Sequence, residues 1–201
     1  MKTILFIDGR NFLSKIGLVL NQENYQENNV DFSIFDFNGL INKVLTGVTT
    51  DQRRFYLGKL EKHIETEKKS NELIESQRLL KLNLEKQDFE VIIAGRVRGH
   101  LEKCPKGHKT LTFKEKGVDV KIAVDMITAA CNKQLKTAII GSSDSDLQPA
   151  IKGLKDQGVQ CIYLGFELQS NRGLSFTTNR TILIRNSEVK EFYKTRQTNL
   201  I

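Results

Sequence analysis

The chain opens with the apolar run Thr3-Ile4-Leu5-Phe6-Ile7 and follows it at once with Asp8-Gly9-Arg10-Asn11. Such a run is typical of a buried strand, and the helical pattern of residues 12–20 begins directly after it. The turn between them carries a carboxylate beside apolar segments, which is costly to desolvate unless a positive group joins it. The stretch therefore predicts a strand–helix unit with a functional acid, Asp8, at the edge of a sheet.

Five more strand-like runs follow, at residues 53–57, 89–94, 137–141, 159–164 and 181–184. Helical patterns occupy residues 37–45, part of 64–86, 118–134, 147–157 and 187–194. This alternation predicts an α/β fold, a Rossmann-like and mostly parallel β-sheet with helices on both faces. We expect a single domain over residues 1–185, then a C-terminal helix and tail over residues 186–201. Residues 167–179 are predicted to form an irregular loop.

The composition is that of a soluble globular protein. Of 201 residues, 39% are hydrophobic and 27% are charged. No apolar stretch approaches the ~18 residues of a membrane span, and the amino terminus lacks the pattern of a signal peptide. Cys131 and Cys161 lie in apolar segments and are predicted to be buried free thiols. We therefore expect a cytoplasmic protein.

Positive charge is concentrated in residues 96–116, which hold seven basic residues against two acidic ones, or +5 of the net +7. We interpret this segment as a basic loop that holds a polyanion over an acidic site, with a merely solvated loop as the alternative. The predicted nucleic-acid-binding residues are Arg10, Arg96, Arg98, Lys103, Lys106, Lys109, Lys114 and Lys116.

Four further acids are expected near Asp8. Asp144 and Asp146 follow the strand at 137–141, and Asp119 and Asp125 lie in the helical pattern that precedes that strand. The carboxyl ends of parallel strands form one functional edge, which the first turns of the preceding helix also reach. Asp119 and Asp125 are about 240° apart around a regular helix, so they cannot both face one point if the helix starts before Asp119. Either Asp119 lies on the loop or cap that enters the helix, or one of the two acids does not touch the metal directly. Each acid alone could be a turn or cap residue. Together they predict a site for Mg²⁺ or Mn²⁺.

Three motifs carry a resemblance to a known family: Phe6-Ile7-Asp8-Gly9-Arg10-Asn11-Phe12, Lys116-Gly117-Val118-Asp119-Val120-Lys121 continuing to Asp125, and Gly141-Ser142-Ser143-Asp144-Ser145-Asp146-Leu147. From residue 1 to about 184 the chain resembles the NYN domain of the PIN-like nuclease superfamily, in particular its LabA-like group. The resemblance implies a PIN-like sheet and a metal-dependent ribonuclease centre. The acidic positions fall on Asp8, Asp119, Asp125, Asp144 and Asp146, and the polar position falls on Asn11. An Asp that relatives carry before the last strand is replaced here by Asn179.

We expect Asp8 and Asp144 to bind the metal directly, with Asp146 and one of Asp119 or Asp125 acting through waters. Asn11 would orient water or phosphate. Ser142 and Ser143 would bond a phosphate or a ligating carboxylate, or shape a turn.

The predicted function is hydrolysis of RNA phosphodiester bonds by a Mg²⁺- or Mn²⁺-dependent ribonuclease, in a monomer or a homodimer. The main alternative is a catalytically silent RNA-binding module that uses the same crevice. A phosphatase-like hydrolase is disfavoured because Asp8-Gly9-Arg10 lacks a second Asp. Cys104 and His108 offer two zinc ligands without a second pair, which favours a surface turn. Phe113, Phe166 and Phe176 are predicted to be core residues, with stacking on RNA bases as the alternative.

Overall fold

The structure, a computed structural model, describes residues 1–21, 30–61, 67–103 and 109–198. At residues 68–69, 98–103, 109–114 and 194–198 only the backbone is described. The strands are β1 (Lys2–Asp8), β2 (Gln52–Leu60), β3 (Glu90–Lys103), β4 (Lys109–Lys116), β5 (Leu135–Gly141), β6 (Gln160–Phe166) and β7 (Arg180–Ile184). The helices are α1 (Gly9–Asn21), α2 (Phe37–Val44), α3 (Glu67–Glu85), α4 (Val118–Cys131), α5 (Gln148–Asp156), α6 (Arg172–Thr177) and α7 (Asn186–Thr198), and a 3₁₀ turn covers Ser145–Leu147.

The described strands form one sheet in the order β4-β3-β2-β1-β5-β6-β7. All neighbouring pairs are parallel except β3 with β4. From β1 the chain adds β2, β3 and β4 on one side of the sheet, and it then crosses back to add β5, β6 and β7 on the other side. The strand order therefore reverses between β1 and β5, and in open α/β sheets ligands bind at the carboxyl ends of the strands at such a point.

Two apolar clusters pack against the two faces of the sheet, which confirms the predicted α/β architecture. On one face α1, α2, α3 and α7 bury apolar residues that include Phe12, Phe37, Leu84 and Tyr193. On the other, α4, α5 and α6 bury Met126, Leu154 and their neighbours. Each sheet face needs such a layer because a strand alternates its side chains between the two faces. Among the described residues, no helix is both long and apolar enough to cross a membrane.

The basic segment is not a loop as far as it is described. After Val97, β3 leaves β2 and pairs only with β4, from Arg98 opposite Lys114 to Lys103 opposite Lys109. The prediction of a loop failed because the dense positive charge of this segment was taken as the mark of a solvated loop, whereas charged residues are also common on exposed edge strands. Residues 104–108, including Cys104, Lys106 and His108, lie outside the described residues.

Three other expectations are wrong. Residues 167–179 contain α6, whose amino end is capped by the Asn171 side chain accepting from Leu174 N–H. Phe176, on that helix, is 87% exposed and not in the core, whereas Phe166 is buried as predicted. Cys131, at the end of α4, is exposed and not a buried thiol as predicted, and the same helix exposes Val120 and Val124. Apolar composition alone does not say which face meets the sheet.

The antiparallel pair of β3 and β4, which we call the hairpin, makes a close contact with α4. Gly95 in β3 has φ +62°, and a Cβ there would collide with the carbonyl oxygen of Lys116 and approach the backbone of Gly117 to 3.1 Å. Gly117 is the amino-terminal cap residue of α4 and has φ +90°. Two glycines thus let β3 press against the start of α4, which fixes where the first turn of that helix lies.

Changing Gly95 to Ala should therefore destabilise the protein by more than backbone strain alone. Gly47 is a matched control, because it has φ +82° but a Cβ there would meet nothing within 4 Å. Gly47→Ala should lower the free energy of unfolding by about 1–2 kcal/mol, because alanine is strained in a left-handed backbone conformation. Gly95→Ala should cost at least ~1 kcal/mol more, because backbone atoms must move. Urea unfolding of both variants measures the difference, and equal losses would contradict the close contact.

Candidate metal centre and substrate cleft

Asp8 is the buried acid of the site. It ends β1, is only 7% exposed, and accepts hydrogen bonds from Asn11 N–H and Ser142 Oγ–H, each at 3.1 Å. Burial raises the pKa of its carboxyl above the ordinary value, and the negative charges of Asp144 and Asp119 raise it further. A desolvated carboxylate with negative neighbours favours any cation that can reach it.

Side-chain hydrogen bonds tie the end of β1 to the loop after β5. The Asn11 Oδ1 atom accepts from Ser143 N–H at 3.0 Å and from Ser143 Oγ–H at 2.9 Å. Ser142 Oγ, which donates to Asp8, also accepts from Asp144 N–H at 3.1 Å. Ser142 therefore binds the Asp8 carboxylate and also stabilises the turn at Asp144, while Ser143 ties that turn to Asn11. Together these bonds fix the Asp144 backbone relative to Asp8.

Three carboxylates converge beside Asp8. One oxygen from each of Asp119, Asp144 and Asp146 lies within 4.8 Å of the others. Asp144 is fixed further because its Oδ1 accepts from Asp146 N–H at 2.9 Å. Asp119 lies in the first turn of α4, where the helix dipole favours negative charge. An all-oxygen carboxylate set fits a divalent cation such as Mg²⁺ or Mn²⁺, because these ions prefer oxygen ligands.

A cleft of about 600 Å³ opens over this group, and we call it the acidic cleft. Asp8, Asn11, Asp119 and Asp144 line it. Its other walls carry positive charge from Arg10, Lys15 and Lys116. A cleft lined by both carboxylates and cations can hold a metal ion together with a phosphate group.

Asp125 is not brought to this group. Its carboxylate accepts from Lys121 Nζ at 2.7 Å and from Tyr56 Oη at 3.0 Å. It lines a separate pocket with Lys2 and Gln52, which begin β1 and β2 at the opposite edge of the sheet from Asp8. Asp125 lies ~240° around the helix from Asp119, which explains why only Asp119 faces the acidic group. Lys121, one turn away, is the cation that neutralises the half-buried Asp125.

The predicted nucleic-acid-binding residues divide into two sets. Arg10 and Lys116 line the acidic cleft, and Arg96 is exposed opposite Lys116 on the hairpin. The rest belong to the hairpin, where only backbone is described, or to the undescribed segment: Arg98, Lys103, Lys106, Lys109 and Lys114. Like charges occupy cross-strand positions at three pairs, Arg96 with Lys116, Arg98 with Lys114 and Lys103 with Lys109. Such pairs are unfavourable unless anions neutralise them.

Comparison with known sequences decides the family. The NYN domain profile matches residues 2–184. The chain belongs to the NYN domain family. No curated protein sequence matches it. A protein of unknown function from Vibrio parahaemolyticus has a similar solved structure, with a TM-score of 0.57, 17% identity, and coverage of 91% of this chain and 93% of that one. At that identity the likeness shows the fold alone.

NYN domains are nucleases, so membership indicates a nuclease-type, hydrolytic function. The acidic triad of this NYN domain fits the divalent metal site expected of such a protein. Asn179, at the position where the resemblance leads us to expect an acid, is not part of the triad; its side chain accepts a hydrogen bond from Cys161 N–H near the start of β6.

Sequence reasoning missed two residues of this NYN domain's site. Asn171 Nδ2 donates to the Ser143 carbonyl at 2.8 Å and so supports the turn that carries Asp144. Its amino-terminal cap position before a short helix was a usable signal. Glu115 lines the acidic cleft from the end of β4, and burial followed by the charge of Asp8 raises the pKa of its carboxyl. Nothing local marks Glu115, because the hairpin brings it there.

Replacing Asp8 by Asn should stabilise the metal-free NYN domain at neutral pH. The Asp8 pKa is raised in the folded state, so the stability it contributes is complete below the unfolded value of about 3.8 and is lost as pH rises through the folded value. Asn has no charge to bury. Its advantage should thus appear at pH 7 and shrink towards pH 4.

Thermal unfolding in EDTA from pH 4 to 8 measures this effect. Glu72→Gln, at an exposed position in α3, is the control and should show no such gain. An Asp8→Asn variant that is less stable than the parent at every pH would contradict the cost assigned to burying this charge.

Proposed function

We propose that this NYN domain is a ribonuclease that hydrolyses phosphodiester bonds of RNA with the help of Mg²⁺ or Mn²⁺. The observation that carries the proposal is the meeting of three carboxylates beside buried Asp8 at the point where the strand order reverses. Unneutralised carboxylates at such distances repel one another, which makes the cluster costly without a cation. A cation-lined rim above them suits a substrate with a phosphate backbone.

Asp119, Asp144 and Asp146 would hold the ion, with Asp8 as a further ligand or as the group that orients the attacking water. When bound, such an ion supplies positive charge that stabilises the phosphate oxygens during hydrolysis. Asp8 is suited to a fixed role because two donors, Asn11 N–H and Ser142 Oγ–H, orient its carboxylate. Reaction geometry of this kind depends on groups that do not reorganise.

The polar residues of the cleft would position the phosphate. The Oδ1 atom of Asn11 is engaged by Ser143, so the amide nitrogen is the end that would donate to a phosphate oxygen. Arg10 and Lys116 would neutralise neighbouring phosphates from the walls of the cleft. Lys15, whose Nζ donates to Gln169 at 2.8 Å, adds positive charge at a fixed place.

Removing either central charge should abolish cleavage and leave the fold intact. Asp8→Asn and Asp144→Asn should each lower the cleavage rate at least ~100-fold, since metal charge stabilisation supplies several kcal/mol. RNA binding should persist. The assay uses a panel of single-stranded and structured RNAs with Mg²⁺, Mn²⁺ or EDTA.

Asp125→Asn is the matched control, because Asp125 is an acid of the same helix as Asp119 but lies outside the cluster. It should keep cleavage within a few-fold of the parent. If folded Asp8→Asn protein cleaves at the parental rate, the hydrolytic role is wrong. If the parent binds RNA but never cleaves it, the chain is the silent binding module.

The hairpin should govern RNA affinity and not the chemical step. Changing Lys103, Lys106, Lys109 and Lys114 together to Ala should weaken binding and flatten its salt dependence, because fewer counterions are released. With ~0.7 per phosphate contact on a single strand, the log–log slope should fall by up to about 3.

A charge-matched control changes four exposed lysines elsewhere, Lys86, Lys133, Lys136 and Lys152, to Ala. Fluorescence anisotropy over a salt series with catalytically disabled Asp144→Asn protein separates binding from cleavage. Equal slopes for the two quadruple variants would mean that only net charge matters and that the hairpin is a solvated surface.

A further inference from the structure

A second cleft, of about 770 Å³, adjoins the acidic cleft, and we call it the apolar cleft. Arg10 and Glu115 line both. The remaining walls of the apolar cleft are mainly aliphatic, with Leu13 from α1, Leu57 from β2 and Leu73 from α3 among them. This size and lining are those of sites for small organic groups, which typically occupy about 300–1,000 Å³. The proposed chemistry in the acidic cleft makes no use of it.

Glu115 is fixed at the wall that the two clefts share. Its Oε2 atom accepts from Gly58 N–H at 3.1 Å, at the end of β2. The Gly58 carbonyl in turn accepts from Gln77 Nε2 at 2.8 Å, so the same peptide is anchored to α3. A Cβ at position 58 would collide with the Glu115 carboxylate, which means that only glycine leaves room for it there. A carboxylate held this way keeps acceptor capacity for a ligand.

We propose that the apolar cleft binds a guanine base of the RNA strand, and that Glu115 is the residue that selects guanine. Bases of single-stranded RNA are recognised by apolar or stacking contacts to the ring and by hydrogen bonds to the Watson–Crick edge. Guanine alone presents two adjacent donors on that edge, N1–H and N2–H, which pair with the two oxygens of one carboxylate. Adenine, cytosine and uracil each place an acceptor beside or around their donor.

The arrangement of the clefts supports this assignment. A nucleotide joins a flat, weakly polar base to a charged phosphate, and here an aliphatic cleft adjoins a cation-rimmed acidic one. Arg10, on the shared wall, lies where the sugar–phosphate link would pass. The inference rests on the proposed RNA substrate, and it adds the base next to the cleavage point.

The first test compares end-labelled oligouridines that carry one central guanosine, adenosine, cytidine or inosine, with Mn²⁺ present. Cleavage should concentrate at the phosphate beside guanosine and be at least about tenfold faster than in the adenosine oligomer, the scale that a good bidentate pair provides. Inosine keeps N1–H but lacks the N2 amino group, so its oligomer should fall between the two.

Two variants address the residues. Glu115→Gln should bring the guanosine-to-adenosine rate ratio close to one and make guanosine and inosine equivalent, because an amide offers one acceptor and one donor. Ser76→Trp, on the wall formed by α3, should fill the apolar cleft and lower the same ratio. Asn71→Trp, at an exposed position on the same helix that does not line the cleft, is the control and should keep it.

A binding experiment separates this inference from the proposed function. Guanosine, inosine and adenosine 5′-monophosphates are titrated into the parent and into Glu115→Gln in EDTA, with affinity measured by NMR. Tighter binding of the guanosine nucleotide that is lost in Glu115→Gln would support the base site even if no RNA were cleaved. Cleavage without guanosine preference, a preference that Glu115→Gln retains, or equal nucleotide affinities would each overturn the inference and leave the nuclease proposal standing.

Discussion

Hydrogen bonds across the centre of the sheet, from Asp8 and Asn11 after β1 to Ser142 and Ser143 after β5, are the constraint on which the site depends. Neighbouring parallel strands fix the height of their carboxyl ends but not the course of the chain beyond them. These bonds fix that course, and Asn171 supports it from behind through the Ser143 carbonyl. Because these two turns are hydrogen-bonded to each other, Asp144 and Asp146, which follow β5, keep a fixed position relative to Asp8.

The hairpin of β3 and β4 lies at the side of the sheet and returns the chain to the carboxyl ends of the parallel strands. A helix that connects parallel strands starts at the carboxyl edge, where β3 also ends its pairing with β2. Here β3 continues outwards and β4 returns antiparallel to it, so the chain re-enters at the same edge. The return places Glu115 at the cleft wall and Asp119, four residues later, in the acidic triad with Asp144 and Asp146. The close contact between Gly95 and residues 116–118 fixes where β3 meets the start of α4.

Charge is separated over short distances in this NYN domain. Negative charge is gathered at the base of the acidic cleft, and positive charge stands on its walls and along the hairpin. Repulsion within each set opposes folding, and burial adds to this cost at Asp8 by raising the pKa of its carboxyl. The proposed divalent cation and RNA strand would relieve both costs, the cation at the carboxylates and the RNA at the positive charges.

Local sequence determined the strand–helix order and the positions of Asp8, Asp144 and Asp146 beyond their strands, because hydrophobic periodicity and turn residues act over a few positions. It also limited Asp119 and Asp125 to one member at the site, through helix geometry. Only the tertiary structure decided that Asp119 is that member, since the choice depends on which face of α4 meets the sheet. The roles of Glu115 and Asn171 at the site were likewise decided by hydrogen bonds to Gly58 and Ser143, which lie far away in sequence. The cap position of Asn171 marks the start of a helix but not its bond to Ser143, and nothing local marks Glu115.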